Sequence, residues 1–308
     1  MHLILGTGPL GRSVMRELVR RGEPVAMVNS SGRADVPDGV TVRKADLMIA
    51  GQAAEAMKKA RIVYQCSQPS YHRWEGNFAH LQTNIAKGAI AAGARLVVAD
   101  NLYMYGSVQG AIHEELPYAA LTKKGLIRAE LARQLLKLHQ DGVLQTAIGR
   151  GSDFFGPGVR QSAAGDMLFK PIIRGKACSV VGNPDRKHSY TFIDDFGRAL
   201  VALGEHEDAC GQAWHVPTAD AVTTKQFAEL AYRAAGHEPG KVRTFGRGTL
   251  RAVGLFIPAV RETIEMLYQF EEDFVVDTKK FTDRFGIAPT ALPQAVGATV
   301  KWYQGQRS

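Results

Sequence analysis

The sequence predicts an α/β fold, a doubly wound parallel sheet followed by a smaller carboxyl-terminal α/β domain. Three observations carry that prediction. His2-Leu3-Ile4-Leu5 reads as a short buried strand, and Gly-x-Gly-x-x-Gly follows it at Gly6, Gly8 and Gly11. Apolar Leu10, Val14, Met15, Leu18 and Val19 then recur at helical spacing up to Arg21. Beyond them, strand-like and helix-like segments alternate through Ile148 across short loops, the order that builds a parallel sheet.

The amino-terminal order of strand, glycine turn and helix is the context that a dinucleotide fingerprint requires. Gly6 permits the tight turn, Gly8 lets the backbone approach a pyrophosphate, and Gly11 lets the helix pack on the strand. Thr7, Pro9 and Leu10 complete the turn, where the helix amino terminus faces an anion.

Pro24-Val25-Ala26-Met27-Val28 reads as the second strand. At its end, about 20 residues past the turn, a site for NAD usually carries an acid for the ribose 2′-hydroxyl. This chain has Asn29-Ser30-Ser31-Gly32-Arg33 instead. The hydroxyls and the Arg33 guanidinium suit a 2′-phosphate, which favours NADP over NAD. Val40–Lys44 is a third strand, Ala53–Ala60 a helix and Ile62–Gln65 a fourth strand. Cys66, Ser67 and Gln68 stand at that strand's carboxyl end, where parallel sheets bind ligands. A helix from Trp74 to Ala92 carries Asn84, Ala94–Ala99 is strand five, Leu121–Gln140 a helix and Val143–Ile148 strand six.

The chain has 308 residues, net charge +8, and 45% hydrophobic and 22% charged residues. This is the make-up of a soluble globular protein of about two domains. Lys and Arg are not concentrated among aromatics, and the basic clusters are as short as Lys123-Lys124, so nucleic acid is not an expected partner. Cys66, Cys178 and Cys210 are widely spaced and form no metal-ligand pattern, so no metal is expected. No apolar run approaches a membrane span and the sequence opens directly on a strand, so the expected compartment is the cytoplasm.

Further motifs carry a family resemblance. Asn101-Leu102-Tyr103-Met104-Tyr105-Gly106 is similar to a Ser-x-x-x-Tyr-Gly stretch after strand five. Arg150–Gly158 resembles an Arg-Pro…Tyr-Gly-Pro-Gly stretch, and His188–Asp195 a His-Val-Asp-Asp segment. With Ala45-Asp46-Leu47 and the Trp302-Tyr303 tail, the chain resembles the extended short-chain dehydrogenase/reductase superfamily, of the NAD(P)-dependent epimerase/dehydratase type. The resemblance implies adenine contacts at Asp46 and Leu47, and catalysis by Ser/Thr, Tyr and a Lys four residues after the Tyr. Tyr and Lys at that spacing share a helical face, and the ammonium lowers the phenol pKa.

The departures from the pattern are specific. Asn101 stands at the serine position, and alignment by Ala129-Glu130 puts Thr122 and Leu126 at the tyrosine and lysine positions. Tyr118 and Lys123 are nearby, but five residues apart they point roughly 140° from each other on a continuous helix. They converge only if Tyr118 lies before the helix. Tyr103 and Tyr105 are alternative acids. The chain thus reads as an atypical member without the triad.

The carboxyl-terminal half carries fewer motifs. The expected division is a dinucleotide-binding domain over 1–155, with 190–210 returning to it, and a substrate domain over 156–189 and 211–308. Gly165–Arg174 and Lys225–Ala235 read as helices, the second capped by Thr223-Thr224, with Asp194 and Asp195 as caps of Phe196–Leu203. Apolar Leu250–Phe270, broken at Pro258, suits a substrate lid or the face of a homodimer. Candidate substrate contacts are Tyr71, His72, Arg73, Trp74, Arg150, Arg160 and His188. The expected function is an NADP-dependent oxidoreductase or epimerase-like enzyme on a small carbonyl or hydroxyl compound of sugar type. A non-catalytic NAD(P) sensor is the alternative.

Overall fold

Seven short strands form one parallel sheet: β1 His2–Leu5, β2 Val25–Asn29, β3 Thr41–Lys44, β4 Ile62–Gln65, β5 Arg95–Asp100, β6 Thr146–Arg150 and β7 Ala213–His215. In this computed structural model, which describes residues 1–254 and 263–306, their order is β7-β6-β5-β4-β1-β2-β3. β1 pairs with β2 on one side (Leu3 opposite Ala26) and β4 on the other (Leu3 opposite Val63). The winding therefore reverses between β1 and β4, and the crevice at their carboxyl ends is the topological switch point where open α/β sheets take ligands.

Alternation along β1 divides the interior. Leu3 and Leu5 face one layer with Ala53, Met57, Ile85, Ala89, Ala132 and Leu135. These come from α2 Ala50–Met57, α3 Asn77–Ala92 and α4 Lys123–Gln140. Ile4 faces the opposite layer with Val14, Leu18, Phe196, Leu200 and Leu203, from α1 Pro9–Arg20 and α6 Ile193–Glu205. Side chains of a strand point alternately to its two faces, so one apolar strand seals both layers. α1 and α6 approach closely: a Cβ on Gly197 would lie 2.2 Å from Ser13 Oγ.

A third core lies beyond β6. Phe155, Leu168, Phe169, Phe227, Tyr232, Val296 and Tyr303 pack there, joining α5 Asp166–Ile172 and α7 Thr224–Ala234 to the terminal helix Leu292–Gly305. Cys178–Val181 pairs in parallel with Val242–Phe245. α7 opens on a capping box, in which Thr223 Oγ1 accepts from Gln226 N at 3.1 Å and Gln226 Oε1 accepts from Thr223 N at 2.9 Å.

Several expectations need correction. β7 was not anticipated, and it pairs with β6 from Ala213 opposite Ile148 to His215 opposite Arg150. Asp194 and Asp195 are not caps, because α6 starts at Ile193 after Phe192 and places both in its first turn. Asp194 Oδ1 instead accepts from Ser13 Oγ at 3.0 Å, and Asp195 accepts from Thr290 N at 2.7 Å. α3 starts at Asn77 after a 3-10 turn over Tyr71–Arg73, and α4 starts at Lys123 with Thr122 as its cap. In the apolar Leu250–Phe270 stretch, Pro258 and the rest of 255–262 lie outside the described residues. Among the described residues no helix is long and apolar enough to cross a membrane.

Candidate functional site

The switch-point crevice is built first by its glycines. Gly6 sits at φ +112°, and a Cβ there would lie 3.1 Å from Cys66 O, so β1 and β4 loops touch across it. A Cβ on Gly11 would lie 2.2 Å from Gly6 O, which fixes how closely α1 enters the turn. Gly8 differs from both, since a Cβ there meets nothing within 4 Å. Two glycines thus bring the backbone together and the third leaves the α1 amino terminus open. Pro9 begins α1 without needing an N–H, and Leu10 is buried behind it. These residues fit a pyrophosphate held on backbone N–H groups.

Asn29 organises the neighbouring loop. Its Nδ2 donates to Thr7 Oγ1 and to Arg33 O, both at 2.9 Å, and its Oδ1 accepts from Gly32 N at 2.6 Å. Ser30 and Arg33 are left exposed beside the glycine turn. Arg12 spans the same gap, with Nε donating to Thr7 O at 3.1 Å and Nη1 to Asp35 O at 2.8 Å. Further along the rim, Asp46 Oδ1 accepts from Met48 N at 2.9 Å. Asn84 is buried and donates to Leu47 O at 3.1 Å and Met48 O at 3.0 Å, so its amide positions that loop.

After β4, burial pushes the Cys66 thiol up to about 12, which removes it as a nucleophile. Ser67 Oγ is buried with no hydrogen-bond partner among the described residues. Gln68 Oε1 accepts from Arg128 Nη2 at 2.6 Å, the entry to a buried charge network. Asp100 at the end of β5 pairs with Arg128 Nη1 at 3.0 Å and Arg150 Nε at 3.5 Å. Arg128 lies between the Trp74 and Phe78 rings, 4.4 and 4.5 Å from their centroids, and burial lowers its pKa. Arg150 Nη1 donates to the Tyr105 hydroxyl at 2.6 Å and its Nη2 to Tyr118. Burial and the Arg150 charge hold His215 near 3, so the neutral ring accepts from Tyr105 at Nε2 (2.9 Å) and donates from Nδ1 to Asp277 O (3.0 Å). Tyr105 and Tyr118 thus serve this network.

A second cluster joins the loops after β4, β5 and β6. The phenols of Tyr71 and Tyr103 face each other closely enough to hydrogen-bond, and burial raises the pKa of both. Lys124 Nζ donates to Tyr71 O at 3.1 Å, lies 4.3 Å from the Tyr71 ring centroid, and stands 3.9 Å from Glu265. Asp153 Oδ2 meets His188 Nε2 at 3.1 Å, while His188 Nδ1 meets Gln269 O at 3.0 Å. Both ring nitrogens thus have partners, which fixes the plane of the His188 ring. The Asp153 charge adds to burial in raising Tyr71, Tyr103, Tyr190 and Tyr268, the last to about 12.

Of the sequence candidates, Tyr103 stands in this cluster. Asn101 Oδ1 accepts from Tyr103 N at 3.1 Å and shapes the turn that carries it. Lys123 is exposed, its N–H donating to Glu265 Oε2 at 2.8 Å, and no hydrogen bond joins it to Tyr118 among the described residues. The sequence reading passed over Asp100, Lys124, Arg128 and Asp153. A signal existed for two of them: Lys124 and Arg128, four apart, fall on the helical stripe that buries Leu131, Ala132 and Leu135.

A model of the NAD dependent epimerase/dehydratase family matches residues 3–216. The chain belongs to this family. UDP-glucose 4-epimerase of Vibrio cholerae is 22% identical over 241 residues, 73% of each chain. Among solved structures, UDP-glucose 4-epimerase of Thermotoga maritima superposes with TM-score 0.81 at 14% identity, covering 100% of both chains. The dTDP-glucose 4,6-dehydratase DesIV of Streptomyces venezuelae gives 0.80 at 15% identity, covering 100% of this chain and 98% of that one.

As a member of the epimerase/dehydratase family, the protein is an NAD(P)-dependent enzyme, and its cofactor is a nicotinamide dinucleotide. The two positions that the family resemblance aligns with a tyrosine and a lysine lie at the start of α4. Its Thr122 Oγ1 accepts from Gly125 N at 3.2 Å as the cap, and Leu126 is 54% exposed. A Cβ on Gly125 would lie 2.6 Å from Tyr103 O, so the start of α4 is packed directly against the Tyr103 turn.

Proposed function

We propose that this enzyme is an NADP(H)-dependent oxidoreductase or epimerase-like catalyst acting on a sugar-derived carbonyl or hydroxyl compound. The observation that carries the reading is one rim holding the open Gly8 turn, the Asn29–Arg33 loop and the Tyr71–Tyr103 phenols. Gly6, Gly8 and Gly11 would hold the pyrophosphate, with Thr7, Pro9 and Leu10 shaping the turn. Ser30 and Arg33 would meet the 2′-phosphate, with Arg12 adding charge beside them. When bound, the dinucleotide supplies or accepts the hydride.

The chain's own part is to orient the substrate and move one proton. Thr122 and Leu126 carry no group of suitable pKa, which supports a proton donor elsewhere. Tyr103 is the residue we assign. Burial keeps its hydroxyl protonated, so it donates to a carbonyl oxygen that gains charge as hydride reaches the carbon. Tyr71 donates a hydrogen bond that steadies the Tyr103 phenolate, which then regains its proton from solvent.

Calorimetric titration with NADPH and NADH, followed by reduced-cofactor absorbance against a carbonyl panel, tests the reading. Preferential NADPH binding with turnover that Tyr103→Phe abolishes is the expected result. Equal affinity for both cofactors removes the 2′-phosphate assignment, and unchanged turnover in Tyr103→Phe removes the proton donor.

A further inference from the structure

We propose that the groove between the carboxyl-terminal half of α4 and the segment entering β7 is a second binding site, for a small phosphate ester. It lies away from the cofactor crevice and does not rest on the reading of that crevice. α4 opens at the rim, where Lys124 meets Tyr71, and from Lys124 to His139 its axis advances about 22 Å. Gly211 N donates to Thr146 O at 2.8 Å, which puts the groove at the amino-terminal end of β6, opposite the end that forms the crevice.

The groove has a volume of about 530 Å³, and no carboxylate stands among its lining residues. Arg133 is exposed, with its guanidinium 5.3 Å from the centroid of the Tyr118 ring. The ring face orients that cation without neutralising it, and Arg133 makes no ion pair among the described residues. Lys137 adds an ammonium that it shares with Asp141 at 3.0 Å. His139 packs so closely on Gly211 that a Cβ there would lie 2.6 Å from Nε2, and at φ +84° glycine is the residue that admits the ring. His139 Nδ1 is buried with no hydrogen-bond partner among the described residues, so a ligand in the groove reaches the ring at Nε2.

That set of donors suits phosphate. Arg133 and Lys137, four residues apart, share one face of α4, and His139 flanks it on the Gly211 side. The guanidinium fork, the ammonium and an imidazole N–H together match a phosphate monoester, which carries about two negative charges at neutral pH. Leu136 and Cys210 line the rest and face the carbon part of an ester. Burial raises the Cys210 thiol pKa, so the thiol adds no opposing charge. The volume is that of a small-molecule site rather than of a lone ion.

The test titrates glycerol 3-phosphate into the protein by calorimetry at low ionic strength, with glycerol as the uncharged control. Wild type should bind the ester with a Kd tighter than about 5 mM, and glycerol should give no saturable heat. Arg133→Gln and His139→Gln should each weaken binding by about tenfold or more, the loss of one charge-assisted contact. Gly8→Asp sets a carboxylate in the glycine turn and should retain this binding, which separates the groove from the crevice. Binding that Gly8→Asp abolishes belongs to the crevice and overturns the inference. Binding unchanged in both groove variants overturns it too, as does the absence of binding at about 20 mM ester. Arg133→Gln replaces an exposed side chain and keeps the test open if His139→Gln disturbs the packing on Gly211.

Discussion

Replacing Gly8 by Asp separates the fold of the glycine turn from its ligand. Gly8 is the cap residue of α1, with φ −70° and ψ −178°, an extended conformation open to any residue. A Cβ there meets nothing within 4 Å. No side chain now caps α1, and Asp is among the best caps, so the unliganded variant should gain a few tenths of a kcal/mol. Cofactor binding should move the other way. A carboxylate about 4 Å from a phosphate costs about 4 kcal/mol at an effective dielectric of 20, a factor of about a thousand in Kd. Urea unfolding of the free protein and calorimetric titration with NADP+ measure the two effects. Gly8→Ala is the uncharged control and should lose far less affinity. Added salt should recover part of the Asp loss by screening. A folded Gly8→Asp variant that binds NADP+ within about tenfold of wild type would refute the placement of the pyrophosphate at this turn.

Gly11→Ala should behave differently, because its Cβ would fall 2.2 Å from Gly6 O and push α1 off the turn. Overpacking of about 1–3 kcal/mol, partly offset by better helix propensity, should appear in urea unfolding together with weaker NADP+ binding. Asp100→Asn leaves Arg128 and Arg150 buried without their shared carboxylate, and should cost about 3–5 kcal/mol; a loss under about 1 kcal/mol would contradict the network. Arg33→Ala should weaken NADPH by about tenfold or more and leave NADH nearly unchanged, whereas equal losses in titration would argue against a 2′-phosphate contact. His215 should make stability fall with acid. Its folded pKa near 3 lies below the unfolded 6.5, so the contribution is complete above pH 6.5 and is lost as pH falls toward 3. The share gone by pH 5 is about 2 kcal/mol, and His215→Gln should flatten the slope of urea stability against pH by that amount.

The features legible in the sequence are local ones. Strand β4 and the glycine turn could be read because short apolar runs, glycine spacing and helix periodicity all act within a dozen residues. β7 escaped because three residues, Ala-Trp-His, become a strand only by pairing with β6 across more than sixty positions. The charge network escaped for the same reason, since Asp100, Arg128 and Arg150 meet only in three dimensions. Lys123 and Lys124 illustrate how finely side-chain direction depends on the fold. One residue turns a helix by about 100°, so Lys124 reaches Tyr71 while its neighbour stays in solvent.

Net charge is a poor guide to this site for a physical reason. The chain carries +8, yet the cations nearest Tyr71 and Asp100 are buried and paired, Lys124 at 4% exposure and Arg128 at 6%. Arg128 and Arg150 are spent on Asp100, Tyr105, Tyr118 and Gln68 beneath the rim. Burying such charges is costly unless each is paired and hydrogen-bonded, and here the pairing fixes the floor from which the Tyr103 turn and α4 rise. Cations that serve as floor cannot also receive a phosphate. The accessible basic excess is carried by exposed residues instead, Arg33 beside the glycine turn, Arg73 beside Tyr71 and Lys123 beside Glu265 among them.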